Sequence, residues 1–85
     1  METYPIAIIQ DRYSGVYSGG GWLAIACATD VVSGNETRLD FCIGSDEGPS
    51  GSDTEAGSFW IDPPDWIAVG DTPDKALEKL RNSLK

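Results

Sequence analysis

The chain has 85 residues and a mass of 9.1 kDa, so we expect one small domain over residues 1–85. It carries 14 acidic residues, 6 basic residues and no histidine, which gives a net charge of -8 at pH 7. Such a charge repels phosphate backbones and anionic lipid, so it argues against direct binding of nucleic acid or of a membrane and favours a basic partner.

The first third of the chain predicts two strands joined by a glycine-rich connection. Residues 4–10 alternate so that Ile6 and Ile8 share one face of the first strand. Residues 11–21 contain four glycines and two tyrosines. Residues 22–29 predict the second strand, with Trp22, Ala24, Ala26 and Ala28 on a face small enough for a helix to approach closely.

A third strand is predicted where Leu39, Phe41 and Ile43 alternate with more polar positions. Paired with the second strand around residues 30–36, it would form a hairpin. In that register Cys27 and Cys42 point to opposite sides of the sheet, so we expect two thiols in a reducing compartment rather than a disulfide.

Residues 44–57 are rich in glycine, serine and acids, and they predict a long mobile loop. An alternative stays open inside it, because Ser52 to Glu55 fits a capping box that would begin a short helix. A last strand is predicted over residues 66–69. It is followed by a helix over residues 73–84, capped by Thr72.

These elements predict an α+β fold, a small antiparallel sheet of three or four strands with one C-terminal helix packed on one face. The expected core is apolar and comes from every element. It consists of Ile6, Ile8, Leu23, Ile25, Leu39, Phe41, Trp66, Ile67, Leu77, Leu80 and Leu84.

Catalytic and cofactor chemistry finds little support in the sequence. Without histidine there is no imidazole base or imidazole metal ligand, and two cysteines cannot supply four zinc ligands. The triple glycine at 19–21 lacks the lysine and the spacing of a phosphate-binding loop. We therefore expect no catalytic residues, no metal and no cofactor, and a protein that is not an enzyme.

A partner-binding surface is the remaining prediction. Nine acidic residues lie between Arg38 and Lys75 with no base among them, and their charge can imitate the phosphates of DNA. Tyr13 and Tyr17 either contact a partner or cover the edge of the core. The predicted partner-binding residues are Tyr13, Tyr17, Asp46, Glu47, Asp53, Glu55, Asp62, Asp65 and Asp71.

The segment from Trp66 to Leu80 contains Gly70-Asp71-Thr72-Pro73 followed by Ala76-Leu77, and it resembles the strand-to-helix end of HicB-like antitoxin domains. That resemblance implies an antiparallel sheet with a packed helix. It also implies, as an alternative function, a module that neutralises a small basic toxin. The acidic insert at 44–57 departs from the family, and the chain lacks the DNA-binding extension that many such antitoxins have.

Residues 11–20 and the acidic composition resemble the small acidic proteins of phages and mobile elements, including anti-CRISPR proteins directed at type I systems. This resemblance implies an inhibitor that binds a subunit of the surveillance complex Cascade and blocks target DNA. With no targeting segment evident and no apolar run longer than residues 22–28, we expect a cytoplasmic protein of the bacterial host cell. An unpaired edge strand leaves a homodimer open.

Overall fold

The computed structural model describes residues 4–83, in which a three-stranded antiparallel sheet lies between helices on both faces. The elements in chain order are β1 (Ala7–Gln10), β2 (Trp22–Ile25), β3 (Val31–Ser33), β4 (Glu36–Thr37), α1 (Arg38–Gly44), α2 (Asp53–Ile61), β5 (Ile67–Gly70) and α3 (Pro73–Ser83). Strand β2 is central, so that Leu23 lies opposite both Ile9 of β1 and Val69 of β5. Strands β3 and β4 pair separately as a short antiparallel ribbon. The predicted α+β fold with a C-terminal helix is confirmed.

Helix α3 packs on the small-residue face of the sheet. Ala24, Ala26, Ala76 and Leu80 form one buried cluster, which confirms that Ala24 and Ala26 face a helix. The strand predicted over 22–29 ends at Ile25, however, and Ala28 lies in the cluster on the opposite face, so its predicted place on this face is wrong. The approach is close at Gly70, where an added Cβ would lie 2.6 Å from the carbonyl carbon of Lys75 and would collide with the amide nitrogen of Ala76. A glycine at this position therefore lets α3 contact the sheet.

The opposite face of the sheet is covered by α1 and α2. Its buried cluster combines Leu23, Ile25, Ala28, Cys42 and Ile67. Side chains from both helices pack against it, namely Leu39, Phe41, Phe59 and Trp60. This second helical layer was not predicted, and it makes the sheet apolar on both faces.

The predicted third strand over 37–43 is wrong, because Arg38–Gly44 is helical. The hydroxyl of Thr37 accepts a hydrogen bond from the amide of Asp40, and the Asp40 carboxylate accepts one from the amide of Thr37. These two bonds form a capping box that starts α1. The predicted hairpin of 22–29 with 37–43 is therefore also wrong. Cys27 lies in a turn at a φ of 50°, Cys42 is buried on α1, and no disulfide joins them.

The long mobile loop predicted over 44–57 is also wrong in its second half. Helix α2 begins at Asp53, and the Ser52 hydroxyl accepts a hydrogen bond from the amide of Glu55. The alternative helical start at Ser52 is thus confirmed. The helix extends over nine residues and includes the apolar run 59–61.

The predicted last strand and C-terminal helix are confirmed as β5 and α3, with Thr72 accepting a hydrogen bond from the amide of Lys75. In the expected core Ile8 is wrong, since it is 38% exposed, and Ala7 and Ile9 face the larger cluster instead. Leu77 is only half-buried, and Leu84 lies outside the described residues. Across residues 4–83, no helix is both long enough and apolar enough to cross a membrane.

Candidate functional site

The segment of residues 11–21, here called the tyrosine loop, is organised by the buried side chain of Asp11. The Asp11 carboxylate accepts hydrogen bonds from the amide of Gly15 at 2.7 Å and the hydroxyl of Ser18 at 3.3 Å. The Asp11 amide donates to the carbonyl of Gly21 at 2.8 Å. Gly15 has a φ of 90°, a conformation that glycine adopts without strain. The loop is therefore closed on itself by a carboxylate that is only 5% exposed.

Two side chains of the tyrosine loop reach residues 45–51, here called the acidic loop because it carries Asp46 and Glu47. Nη1 of Arg12 donates to the carbonyl oxygen of Ser50 at 2.6 Å and to that of Gly51 at 3.3 Å. The Tyr13 hydroxyl donates to the same Gly51 carbonyl. The Arg12 guanidinium also lies 5.2 Å from the centre of the Tyr13 ring. Arg12 and Tyr13 thus hold the acidic loop through its main chain.

Gly51 is buried at the centre of this arrangement. A Cβ at Gly51 would collide with the carbonyl oxygen of Asp46 and would lie 2.7 Å from its carbonyl carbon. The acidic loop can therefore close tightly only with glycine at this position. Its exposed residues Asp46 and Glu47 project from a turn of fixed shape.

Tyr17 connects the tyrosine loop to helix α2. Its ring packs edge-to-face against Tyr13, with centroids 5.2 Å apart and an interplanar angle of 80°. The same ring lies beside Gly57, where an added Cβ would be 3.7 Å from Cδ1 of Tyr17. Partial desolvation raises the pKa of Tyr17 above its ordinary value, and the charge of Asp53 raises it further. Tyr17 is 37% exposed, so one side of its ring is accessible.

All seven predicted carboxylates are exposed, and none of them forms an ion pair within residues 4–83. Asp53 and Glu55 lie in the first turn of α2, and Asp62 is its C-cap. Asp65 precedes β5, and Asp71 lies in the turn between β5 and α3.

Arg12 and Arg38, the two bases that precede Lys75 in the sequence, contact other groups of the protein and not these carboxylates. Arg12 binds the carbonyls of the acidic loop, as described above. Arg38 donates to the carbonyl of Ala26 at 2.8 Å, lies 5.1 Å from the centre of the Trp66 ring, and has a carboxylate oxygen of Asp30 at 3.9 Å. The bases Lys75, Lys79 and Arg81 lie on α3, which covers the other face of the sheet. Within residues 4–83, the seven predicted carboxylates are therefore exposed and are not paired with the chain's own cations.

The structure brings together four groups of predicted residues: Tyr13, Tyr17, Asp53 and the acidic loop with Asp46 and Glu47. The described contacts of the tyrosines do not include Glu55, Asp62, Asp65 or Asp71. Sequence reasoning missed the role of Arg12 and the exposure of Val16 (75%), which precedes Tyr17, and of Ile61 (84%), the last residue of α2. One local signal for the shape of the tyrosine loop was available. Ser14 and Gly15 follow shortly after Asp11, and such a segment is typical of a turn that is closed by the aspartate carboxylate.

The described residues offer little for a metal site, and a groove on their surface is formed by residues other than those predicted to bind a partner. Within residues 4–83, no three cysteine, aspartate or glutamate side chains are grouped so that they could hold a metal ion. A shallow groove of about 460 Å³ lies along α3, lined by Asp74, Leu77, Glu78, Arg81 and Asn82. None of the nine predicted partner-binding residues lines this groove.

Comparison of the chain with models of protein families, with curated proteins and with solved structures finds no match.

Proposed function

We propose that this chain is a non-catalytic inhibitor of a nucleic-acid-binding complex, an anti-CRISPR protein that binds type I Cascade and blocks its target DNA. The observation that carries this proposal is the exposure of seven carboxylates without an ion-pair partner in residues 4–83. A groove that binds DNA presents lysines and arginines to phosphates, and it binds such a surface by the same attraction.

The contacts that hold the acidic loop and the start of α2 support this mechanism. Arg12 and Tyr13 hold the acidic loop, and Ser52 caps the helix that carries Asp53 and Glu55. The main chain that carries these carboxylates is thereby held before binding, so less backbone conformational entropy is lost when a partner binds. By occupying the positively charged channel, the protein would exclude DNA without any chemical step.

The decisive experiment measures binding of target DNA to purified type I Cascade, with and without a molar excess of this protein. We expect DNA binding to be lost when the protein is present. Direct binding of the protein to Cascade, measured without DNA, should weaken as salt is raised, because screening weakens the charge pairs. Unchanged DNA binding would contradict the proposed competition.

A matched pair of variants localises the surface. The double variant Asp62→Asn and Asp65→Asn removes two charges near the end of α2, whereas Glu36→Gln and Glu78→Gln removes two charges from β4 and α3. We expect the first variant to weaken inhibition more than the second. Equal weakening would show that total charge matters and that the position of the carboxylates does not.

A second candidate function is an antitoxin-like module, favoured by the confirmed unit of β5, the 71–72 turn and α3. Thr72 caps α3, and the absence of a side chain at Gly70 lets α3 pack closely on the sheet. Both features fit the resemblance of this segment to HicB-like domains. Titration with a small basic ribonuclease toxin distinguishes the two functions. Tight binding that abolishes ribonuclease activity, with Cascade unaffected, would favour this second function.

A further inference from the structure

Helix α2 presents three exposed or half-buried positions in one row. Asp53, Gly57 and Ile61 are spaced four residues apart, so they lie on the same side of the helix. The row begins with a carboxylate, continues with a position that has no side chain, and ends with an isoleucine that is 84% exposed. We call these three residues the α2 row.

The ring of Tyr17 lies over the first two positions of the α2 row. The ring interacts with Asp53, and a Cβ added at Gly57 would be in van der Waals contact with it, as described above. Val16, the residue before it, is 75% exposed. A half-exposed aromatic ring thus lies beside a carboxylate, and exposed aliphatic side chains follow at Val16 in the tyrosine loop and at Ile61, which continues the α2 row to the end of the helix beside Asp62.

We propose that the α2 row and Tyr17 bind arginine side chains of the partner, in preference to lysine. This inference rests on the proposed function for the basic character of the partner. An arginine places its flat guanidinium on an aromatic ring and donates two hydrogen bonds to a carboxylate, while its stem covers apolar surface. A lysine ammonium is more strongly hydrated and gains less from the ring and from the apolar surface.

The chain itself contains the same kind of contact. The guanidinium of Arg12 lies 5.2 Å from the ring of Tyr13, and that of Arg38 lies 5.1 Å from the ring of Trp66. The bases of α3 are exposed on the helix that covers the other face of the sheet, and within residues 4–83 none of them pairs with Asp53, so Tyr17 and Asp53 are available to an external cation. Charge complementarity therefore favours a cationic occupant, and the ring with Ile61 favours arginine among the cations.

The test compares two labelled peptides, hexa-arginine and hexa-lysine with blocked termini, by fluorescence anisotropy at low ionic strength. We expect the wild-type protein to bind hexa-arginine about threefold more tightly than hexa-lysine, the size of one exposed cation–π contact. Tyr17→Leu and Ile61→Ser should reduce this ratio towards one. Tyr17→Phe keeps the ring and should keep the ratio.

Val31→Ser is the matched control, because Val31 is an exposed aliphatic side chain (61%) on β3, outside the α2 row. It should leave the ratio unchanged. Equal affinity of the wild-type protein for both peptides would overturn the inference. A ratio that Tyr17→Leu does not alter would overturn the inference as well, since the preference for arginine would then not depend on the Tyr17 ring.

The same variants separate this inference from the proposed function. If Cascade is inhibited equally by the wild type, Tyr17→Leu and Ile61→Ser, the inference fails and the proposed function stands. If Cascade binds DNA normally in the presence of the protein while the ratio depends on Tyr17, the inference stands and the proposed function fails.

Discussion

Replacing Gly51 by alanine tests whether the acidic loop is a fixed part of the structure. The new Cβ would collide with the carbonyl oxygen of Asp46, so the main chain around Gly51 must move. That movement would lengthen the bonds that the Gly51 carbonyl accepts from Tyr13 and Arg12. Two weakened hydrogen bonds, each contributing about 1 kcal/mol, and the strain of overpacking together predict a loss of roughly 2–3 kcal/mol of unfolding free energy.

This loss is large for a chain of this size, because a domain of this length has a total stability of roughly 4–13 kcal/mol. Urea denaturation followed by tryptophan fluorescence measures it directly. Gly21→Ala is the matched control, since an added Cβ there has no atom within 4 Å, and its stability should stay within about 0.5 kcal/mol of the wild type. A Gly51→Ala protein as stable as this control would refute the idea that the loop is tightly closed.

Three further predictions concern the core, α2 and the buried thiol. Leu80→Ala should lower the free energy of unfolding by about 3 kcal/mol, since Leu80 is fully buried between α3 and the sheet, and Leu77→Ala should cost less because Leu77 is half-buried. Gly57→Ala should raise the stability by about 0.5–1 kcal/mol, because alanine favours the helix and its Cβ would meet only the Tyr17 ring; a lower melting temperature would contradict this contact. Burial raises the pKa of the Cys42 thiol from its ordinary value of 9.0 to about 12. Above pH 9 the folded chain therefore keeps a thiol proton that the unfolded chain releases, so the contribution of Cys42 to stability should be constant below pH 9 and then fall by up to about 1.4 kcal/mol per pH unit towards pH 12. Denaturation of wild type and Cys42→Ala at pH 8 and 10.5 measures this decline, and an equal decline in the variant would show that Cys42 does not cause it.

Helix α3 and the sheet face that it covers could be predicted because several local signals agree there. Thr72, Pro73 and the apolar spacing of Ala76 and Leu80 all indicate a helix start and one buried face, and α3 follows them. In β2 the alanines indicated the face that receives this helix. Such agreement between capping, spacing and packing makes a local prediction reliable.

The middle of the chain was predicted incorrectly because a short apolar run does not distinguish a strand from a helix. The alternation of Leu39, Phe41 and Ile43 suggested a strand, although Thr37 and Asp40 already formed the pattern of a capping box. In β1 both faces are apolar, so the alternation could not show that Ile9 and not Ile8 faces the larger cluster.

The candidate site could be predicted by residue type but not by arrangement. Exposure of the carboxylates follows from their charge, whereas the contact of Arg12 with Ser50 joins residues 38 positions apart. Nothing local to Arg12 indicates that its guanidinium binds carbonyls of another loop. That contact depends on how the helices pack on the sheet, and the packing was not predicted.

The contacts between Arg12, Tyr13 and the acidic loop have a consequence for protein engineering. Both side chains bind main-chain carbonyl oxygens, which every amino acid possesses, and neither binds a side chain of the loop. The shape of the loop is therefore encoded by Arg12, Tyr13 and the buried loop positions Gly48, Pro49 and Gly51, while its chemistry depends on the residues at 46, 47 and 50. A library randomised at those three positions should retain the turn and display new chemistry, which makes this small domain a scaffold for selecting binders to other targets.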